Sequence, residues 1–419
     1  MGGLIGIDFG TTNSVVAILR PDGSVQTTRY AVGQAEMDVF RTLLCFWTEE
    51  GRGRTGLHNA AGPFAIEAYL EDPLDSRLIM SMKTYLAQRS FTQTNIFGRL
   101  FTLEQLVALF LRNLLRQGHQ STRVVAGRPV RFAGELADHD FGEARLRAAF
   151  KEAGFPAIDV ALEPEAAGYR FARTLNAPAI VLVGDFGGGT SDFSVMQFDP
   201  QARRRVVPLG YAGIGIAGDT FDYRIIDHVV SPRLGKGDTY TVMGKALPVP
   251  PEYFSGFARW HQLSLMRAPR TLRDIAAVAA VSARPERLRQ LIRLIEDEMG
   301  YPLYQAVSAV KAELSHRDVA TLRFAHGDFV IERPIVRSEF EAWIAEDLRR
   351  IAATVGQALA DANVPAAKID RVFLTGGTSF VPAVRALFDQ RFGRDKVSGG
   401  GEFVSVAEGL ALIGRDRVA

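Results

Sequence analysis

Two glycine-containing turns carry the residue types that bind a phosphate chain together with a divalent cation. The first follows Asp8 in an Asp-Phe-Gly-Thr-Thr motif, and the second follows Asp185 in an Asp-Phe-Gly-Gly-Gly-Thr motif. Glycine lets backbone N–H groups approach a ligand, hydroxyls bond phosphate oxygens, and carboxylates hold a hydrated metal. The candidate contacts are Gly10, Thr11, Thr12 and Asn13 in the first turn and Gly187, Gly188, Gly189 and Thr190 in the second.

Each turn joins two strand-like segments. Residues 4–8 and 15–19 flank the first turn, and residues 180–185 and 193–198 flank the second. A strand, a polar turn and a second strand therefore occur twice, far apart in the chain. Such an internal repeat predicts two similar lobes, each presenting a hairpin to one shared cleft.

Helices and further strands alternate in the rest of the sequence, which indicates an α/β architecture. Thr102 and Gln105 form a capping box before an apolar stripe at helical spacing that ends at Leu114. Other predicted helices are 142–153, 221–230, 284–299, 303–314, 340–362 and 404–413, and other predicted strands are 123–126 and 371–374. Residues 232–251 are rich in Gly and Pro and predict an irregular surface segment, and further glycine turns follow at 376–378 and 399–401.

Composition excludes several classes of function. Forty-nine basic and 47 acidic residues give a formal charge of +2, too balanced for general binding to nucleic acid or membrane lipid. The start of the chain lacks the features of a signal peptide, and no apolar run is long enough for a membrane span. The single cysteine, Cys45, allows no internal disulfide, and the seven histidines lack metal-ligand spacing. We therefore expect a cytoplasmic protein.

The motifs resemble, in order, those of the heat-shock-seventy, DnaK-like chaperone family. Residues 6–14 look like its first phosphate signature, 81–83 like the segment with its catalytic lysine, and 162–167 like its Asn-Glu-Pro-Thr-Ala-Ala segment. Residues 183–192 are similar to its second phosphate loop, and residues 215–222 to the segment after that loop. Residues 311–315 are similar to its adenosine helix, and residues 374–382 to its adenosine-binding strand and turn. The resemblance implies an actin-like ATPase fold of two similar, ribonuclease-H-like lobes flanking a nucleotide cleft, and the YegD-like branch is the nearest match.

The resemblance also implies roles for individual residues. Asp8 and Asp185, with Asp192, would hold the water shell of Mg²⁺, Lys83 would position the attacking water, and Glu163 would complete the acidic cluster. Thr190 would contact the γ-phosphate, and Pro129 with Arg147 would match the family's proline switch and arginine relay. The expected nucleotide contacts outside the two phosphate turns are Gly218, Lys311, Ser315, Gly376, Gly377, Thr378 and Phe380, of which all but Gly218 lie in the segments similar to the family's adenosine site.

Two departures from the family affect the adenosine site. Ser308 stands where the family usually has a Glu, three residues before Lys311. Phe380 replaces an arginine that stacks on adenine, and an aromatic ring could stack as well or could belong to the core. A binding-only pseudoenzyme therefore stays open, given Ser308 and Ala312.

The expected domains are a first lobe at 1–174, a second lobe at 175–398 with a variable part near 230–300, and a closing segment at 399–419. The expected function is Mg-ATP binding with slow hydrolysis that drives lobe closure, with a protein client or cochaperone as possible partner. The chain shows no apolar linker or β-rich tail, so we expect no peptide-binding domain. The alternatives are a sugar or acid kinase of the same fold and a filament-forming actin-like protein.

Overall fold

A computed structural model describes the chain in segments. They are residues 3–32, 35–51, 54–72, 75–115, 123–134, 136–155, 158–172, 175–199, 201, 206–258, 266–399 and 404–417. The chain divides into two units, one formed by Met1–Gly218 with Leu348–Ala419 and the other by Asp219–Asp347.

The strands are numbered in chain order. They are β1 (Leu4–Phe9), β2 (Asn13–Leu19), β3 (Val25–Thr27), β4 (Tyr30–Val32), β5 (Ala35–Met37), β6 (Phe40–Arg41), β7 (Leu43–Gly51), β8 (Arg54–Ala61), β9 (Ser76–Met80), β10 (Gln93–Ile96), β11 (Arg99–Thr102), β12 (Arg123–Arg128), β13 (Ile158–Leu162), β14 (Ala179–Phe186), β15 (Ser191–Phe198), β16 (Val206–Ile214), β17 (Thr239–Val242), β18 (Lys245–Pro248), β19 (Val319–His326), β20 (Phe329–Val336), β21 (Arg371–Thr375) and β22 (Val397–Gly399).

The α-helices are numbered in the same way. They are α1 (Pro63–Glu71), α2 (Leu103–Leu114), α3 (His139–Glu152), α4 (Glu163–Ala172), α5 (Gly218–Ile225), α6 (Pro251–Ala258), α7 (Pro269–Ala280), α8 (Pro285–Glu296), α9 (Gly300–Leu314), α10 (Arg337–Trp343), α11 (Ala345–Asp361), α12 (Pro382–Phe392) and α13 (Ser405–Asp416). Among the described residues, none of these helices is both long and apolar enough to cross a bilayer.

The hairpin at the first Asp-Phe-Gly motif lies in a six-stranded sheet with the order β13-β12-β1-β2-β3, in which β6 also pairs with β2. Ile5, Ile7 and Phe9 on β1 are buried, as expected for a strand inside a sheet. β1 runs antiparallel to β2, with Asp8 opposite Val15, and parallel to β12. Asp8 therefore lies at the carboxyl end of β1, beside the end of a parallel strand.

The hairpin at the second motif lies in a five-stranded sheet with the order β16-β15-β14-β21-β22. β14 is antiparallel to β15, with Asp185 opposite Asp192, and parallel to β21, with Asp185 opposite Thr375. The two sheets have the same order of pairings. On one side of the motif-bearing strand two successive strand pairs are antiparallel, and on its other side two successive strand pairs are parallel. The repeat seen in the two motifs thus extends to five strands.

Helix α2 packs on the first sheet as its apolar stripe predicted. Leu103, Leu106 and Phe110 on this helix are buried in the core cluster that contains Ile7. The predicted capping box is confirmed, because the Thr102 hydroxyl accepts from the Gln105 N–H and the Gln105 side chain accepts from the Thr102 N–H. Local sequence alone fixes where this helix begins.

Helices α4 and α13 pack against one another beside strands of both sheets. Their apolar cluster includes Val125 from the first sheet and Val183 from the second, with Leu410 from α13. Gly409 allows the close crossing, because a Cβ there would overlap the carbonyl oxygen of Ala166 on α4. One core therefore joins the two repeated sheets.

The second unit, Asp219–Asp347, contains the hairpins β17–β18 and β19–β20 and the helices between them. Arg224 donates to both carboxylate oxygens of Asp347, at 2.8 and 2.9 Å. The rings of His228 and Trp343 stack with centroids 4.9 Å apart. These contacts tie the beginning of this unit to its end.

Two expectations about local structure were wrong. Residues 232–251 contain the β17–β18 hairpin, whose turn residues Met243 and Gly244 both have positive φ, and its mostly exposed strands of four residues each are too short to show a clear pattern. The single helix expected at 340–362 is two helices separated at Ile344, which leaves helical geometry with ψ of 2° and buries its side chain. A one-residue break leaves the apolar periodicity on both sides nearly unchanged. Part of the expected glycine turn at 399–401 lies outside the described residues.

Candidate active site

Lys83 and Glu163 form a buried ion pair between the two motif-bearing hairpins. The Lys83 Nζ donates to Oε1 of Glu163 at 2.5 Å, and the side chains are 7% and 5% exposed. Glu163 is the first residue of α4, directly after β13, and Lys83 lies in a 3₁₀ turn at Met82–Tyr85. Burial acts to lower the pKa of Lys83, but the negative charges of Glu163, Asp8 and Asp192 outweigh it and raise this pKa. The lysine therefore stays a charged donor.

Asp8 and Asp185 share one electrostatic environment with this pair. Burial, followed by repulsion from Glu163, raises the pKa of Asp8 to about 7, while Lys83 acts to lower it. The pKa of Asp185 is also raised, first by burial and then by the charges of Glu163, Asp8 and Asp192. The two motif aspartates are thus close enough to repel one another, as two hairpins facing a shared space require.

Asp192 links the second hairpin to the segment after β12. Its Oδ1 accepts hydrogen bonds from the backbone N–H groups of Val130 at 2.8 Å and Arg131 at 3.3 Å. Burial and then Glu163 raise the pKa of Asp192 to about 7, although a hydrogen bond from Thr190 acts to lower it. The predicted switch residue Pro129 directly precedes these two donors.

The two turns themselves approach one another. A Cβ added to Gly189 in the second turn would lie 3.4 Å from Oγ1 of Thr11 in the first. In the first turn, the buried Oγ1 of Thr12 has no hydrogen-bond partner in the described part of the chain. A buried hydroxyl without a partner is costly, so it fits a ligand oxygen that would complete it.

Residues at the end of β6 and directly after it form hydrogen bonds to the first turn. The Thr42 N–H donates to the Thr12 carbonyl at 2.9 Å, and Arg41 donates to the side-chain oxygen of Asn13 at 3.0 Å. The hydroxyls of Ser14 and Thr42 are 2.8 Å apart and buried. Arg41 and Thr42 could not be predicted from the sequence, because their role depends on pairing with residues 28 positions earlier.

A divalent cation fits the charge of this cluster. Four carboxylates, those of Asp8, Glu163, Asp185 and Asp192, interact with one ammonium, and burial, followed by repulsion between the carboxylates, raises the pKa values of the three aspartates. Within the described ranges, no three acidic, His or Cys side chains are arranged to ligate one ion directly. Carboxylates can also hold a hydrated Mg²⁺ through its water molecules, since Mg²⁺ gives up water reluctantly.

The third glycine turn follows β21, beside the end of the second motif-bearing strand, β14. Gly376 has φ of 85°, and a Cβ there would overlap the carbonyl oxygen of Phe186. Thr378 is buried, the Ser379 hydroxyl donates to the Gly376 carbonyl at 2.6 Å, and Phe380 is 42% exposed. The ring of Phe380 is therefore accessible to a flat ligand, and Gly377 next to this turn is exposed as well.

Three predicted nucleotide contacts remain. Gly218 belongs to the unit formed by Met1–Gly218 with Leu348–Ala419, whereas Lys311 and Ser315 belong to the unit Asp219–Asp347. Lys311 donates to Asp222 at 2.7 Å, and the Ser315 hydroxyl donates to the Lys311 carbonyl at 3.3 Å. Asp222 is thus an additional residue beside this predicted contact, and it was not foreseen from the sequence.

Arg147, the residue predicted as the arginine relay, bonds residues outside the segment that carries Lys83. Arg147 is at the surface of α3, where it bonds Glu143 on the same helix and the carbonyl of Ile158. Arg145, two residues earlier, is buried and bonds the segment that carries Lys83. Sequence reasoning missed Arg145, because nothing in a helix with several arginines marks the buried one.

Comparison with known proteins shows similarity of sequence to one family. Residues 289–415 match the family model described as Hsp70 protein. The chain is 26% identical over 417 residues to the chaperone protein DnaK of Thermosipho africanus, which covers 98% of this chain and 58% of the relative. It is 25% identical over 410 residues to the DnaK protein of Thermus thermophilus, and this match covers 94% of the chain and 58% of the relative. It is 25% identical over 442 residues to the DnaK protein of Deinococcus radiodurans, and this match covers 98% of the chain and 58% of the relative.

The chain is a relative of the Hsp70 proteins. The resemblance inferred from the motifs is confirmed, and it extends over nearly the whole chain. This Hsp70 relative spans somewhat less than three fifths of the length of the DnaK proteins that it matches. Its assignment to the YegD-like branch stays a prediction.

Proposed function

We propose that this Hsp70 relative binds ATP with Mg²⁺ and hydrolyses the nucleotide slowly between its two repeated hairpins. The observation that carries the proposal is the buried Lys83–Glu163 pair among three aspartates whose pKa values are raised. A lysine kept charged, an excess of carboxylates and two glycine turns are sufficient for phosphoryl transfer to water, which needs mainly positioning and charge neutralisation.

Asp8, Asp185 and Asp192 would hold the water shell of Mg²⁺, which supplies the charge that offsets the phosphates when it is bound. Glu163 orients Lys83 through the 2.5 Å hydrogen bond. The charged Lys83 Nζ has further N–H donors, so it can orient the attacking water towards the terminal phosphate. Because its pKa is raised, Lys83 acts as a hydrogen-bond donor and not as a general base.

The turns would hold the phosphate chain. Backbone N–H groups of Gly10 and of 187–189 can approach phosphate oxygens closely, and Thr190 would contact the γ-phosphate. The buried Thr12 hydroxyl, which has no hydrogen-bond partner among the described residues, supports a phosphate oxygen at the first turn. Thr11 and Asn13 complete the first turn.

The adenosine would be held by the third glycine turn, at Gly376, Gly377 and Thr378, with Phe380 stacking on the base. The 42% exposure of Phe380 supports stacking, since a core phenylalanine would be covered. Gly218, Lys311 and Ser315 are the further proposed contacts. For Lys311 the proposal includes its partner Asp222, which fixes the ammonium at 2.7 Å.

The actin-like fold of the family supports the proposal that the two repeated sheets belong to two lobes, at 1–174 and 175–398, with 399–419 closing back on the first. Hydrolysis would alter the closure of these lobes, and a protein client or cochaperone would sense the change. The single cysteine, buried Cys45, suits the reducing cytoplasm.

ATP binding by calorimetry and steady-state hydrolysis test the proposal on the native chain and the variants Lys83→Ala and Lys83→Met. Lys151→Ala, which removes an exposed lysine from the last turn of α3, is the matched control. We expect both Lys83 variants to bind Mg-ATP and to lose turnover, and the control to keep both. Absence of Mg-ATP binding by the native chain would refute the proposal. Turnover that needs a sugar or acid acceptor, or ATP-induced sedimentation, would instead support a kinase or a filament-forming protein.

A further inference from the structure

Lys83 belongs to an irregular segment that has little regular structure to hold it. Ser81 has a left-handed backbone with φ of 51°, and the 3₁₀ turn at Met82–Tyr85 is followed by further single turns up to Phe91. Their bonds include Leu86 N–H to the Lys83 carbonyl at 3.2 Å. Because 3₁₀ hydrogen bonds have poor geometry, such a segment needs outside contacts to keep one conformation.

Helix α3 supplies those contacts through Arg145, which is only 4% exposed. Its Nη1 donates its two hydrogens among three backbone carbonyls of the segment, those of Tyr85 at 3.4 Å, Gln88 at 3.5 Å and Phe91 at 3.2 Å, so that one hydrogen is shared. These carbonyls face one guanidinium from three successive turns. A single side chain therefore spans the segment from the end of the lysine turn onwards.

Glu104 on α2 fixes the guanidinium from the other side. Arg145 Nε donates to Oε1 at 2.7 Å, and Nη2 donates to Oε2 at 3.3 Å, which is a two-point contact. The short bond to Glu104 anchors the arginine, and the longer bonds to the carbonyls are the ones that reach the segment. Only a planar fork can make both sets of contacts, so lysine cannot replace arginine here.

A second contact from α3 holds the same segment. The Asp138 N–H donates to the Ala87 carbonyl at 3.0 Å, and Arg89 Nε donates to Oδ2 of Asp138 at 2.9 Å. The N-terminus of the helix and Arg145, two turns further on, thus fix the segment at two places. A shift of residues 85–91, which directly follow the lysine, would therefore break contacts to α3.

We infer that Arg145 is a positioning residue for hydrolysis. It holds the Lys83 segment so that the lysine ammonium stays on Glu163 beside the motif aspartates. The inference rests on the proposed function, since Arg145 acts only through Lys83. A lysine displaced by about 1 Å costs on the order of a hundredfold in rate when positioning carries the catalysis.

Arg145→Lys tests this, with Arg112→Lys as matched control. Arg112 also donates to a backbone carbonyl, that of Glu152 at 2.9 Å, and also joins α2 to α3, but it does not contact the lysine segment. We expect Arg145→Lys to lower kcat roughly ten- to a hundredfold with the Kd for Mg-ATP within about twofold. Amide hydrogen exchange should speed up in peptides covering 81–91 in this variant and stay unchanged in the control.

The double variant Lys83→Ala/Arg145→Lys separates positioning from a merely structural role. If Arg145 acts through Lys83, the second substitution lowers turnover no further once Lys83 is gone. An unchanged kcat in Arg145→Lys, or an additive loss in the double variant, overturns the inference. Native protein that binds Mg-ATP without turnover also overturns it and leaves nucleotide binding intact, whereas absence of binding refutes the proposed function itself.

Discussion

Lys83 lies 2.5 Å from Glu163, and both side chains are withdrawn from water next to three further carboxylates. Burying an ion pair is costly unless the geometry is good and the remaining hydrogen-bonding groups are used. The surplus of negative charge around the pair makes the cost larger in the absence of a cation. A buried cluster with surplus negative charge, which a metal ion would neutralise, fits a binding site better than a stabilising element.

The buried hydroxyl of Thr12 gives a prediction that separates binding from folding. Thr12→Val removes an oxygen without a partner, so we expect thermal stability to be unchanged or raised by up to about 1 kcal/mol. The affinity for Mg-ATP should fall about tenfold, because the ligand loses a hydrogen bond.

Thr42→Val is the control for this substitution. Its hydroxyl is 2.8 Å from that of Ser14, and both are buried. Removing it should lower the free energy of unfolding by about 1–3 kcal/mol, since the Ser14 hydroxyl is left without a partner. Thermal melting and calorimetry measure both effects, and a Thr12→Val protein with full ATP affinity would contradict the role of this hydroxyl.

The raised pKa of Asp8 predicts how the stability of the nucleotide-free protein depends on pH. Its pKa is raised from 3.8 to about 7, so the folded state holds the proton more tightly than the unfolded state does. Its contribution to stability is complete below pH 4 and is lost as the pH rises to about 7. Asp8→Asn, which stays uncharged, should therefore raise the melting temperature by a few degrees at pH 8 and much less at pH 4.

Asp328→Asn is the control, because Asp328 is an exposed residue of the β19–β20 turn. Its melting temperature should differ little from that of the native chain at both pH values. If Asp8→Asn is destabilising at pH 8 without Mg²⁺, the carboxylate is not held in an unfavourable environment.

The crossing of α4 and α13 predicts a strong effect of one methyl group. Gly409→Ala would place a Cβ in the carbonyl oxygen of Ala166, and we expect a loss of at least about 2 kcal/mol in the free energy of unfolding. Gly356→Ala is matched, since this glycine also lies in a helix but its added Cβ would meet only the flexible end of Arg391 at 3.5 Å. The control should be stabilised by about 0.5–1 kcal/mol. Urea unfolding measures both, and equal stability of the two variants would show that the helices can separate.

Features that depend on residues close together in the sequence could be predicted from it. The repeated Asp-Phe-Gly motifs predicted two hairpins, and Thr102 with Gln105 predicted the start of α2. What was missed depends on pairing between distant residues. The bonds from Val130 and Arg131 to Asp192 and from Arg145 to the lysine segment join residues about 60 positions apart. No local pattern marks such a partner, because its role arises only once the two sheets and α3 are packed.

The most direct test of the account is a calorimetric titration of the native chain with ATP, once with Mg²⁺ and once with the metal chelated. Four carboxylates around one ammonium repel a bare triphosphate, whereas a divalent cation bridges the two. We predict saturable binding of one nucleotide in the presence of Mg²⁺ and affinity at least about tenfold weaker without it. Equal affinity in both titrations, or no heat in either, would contradict the account.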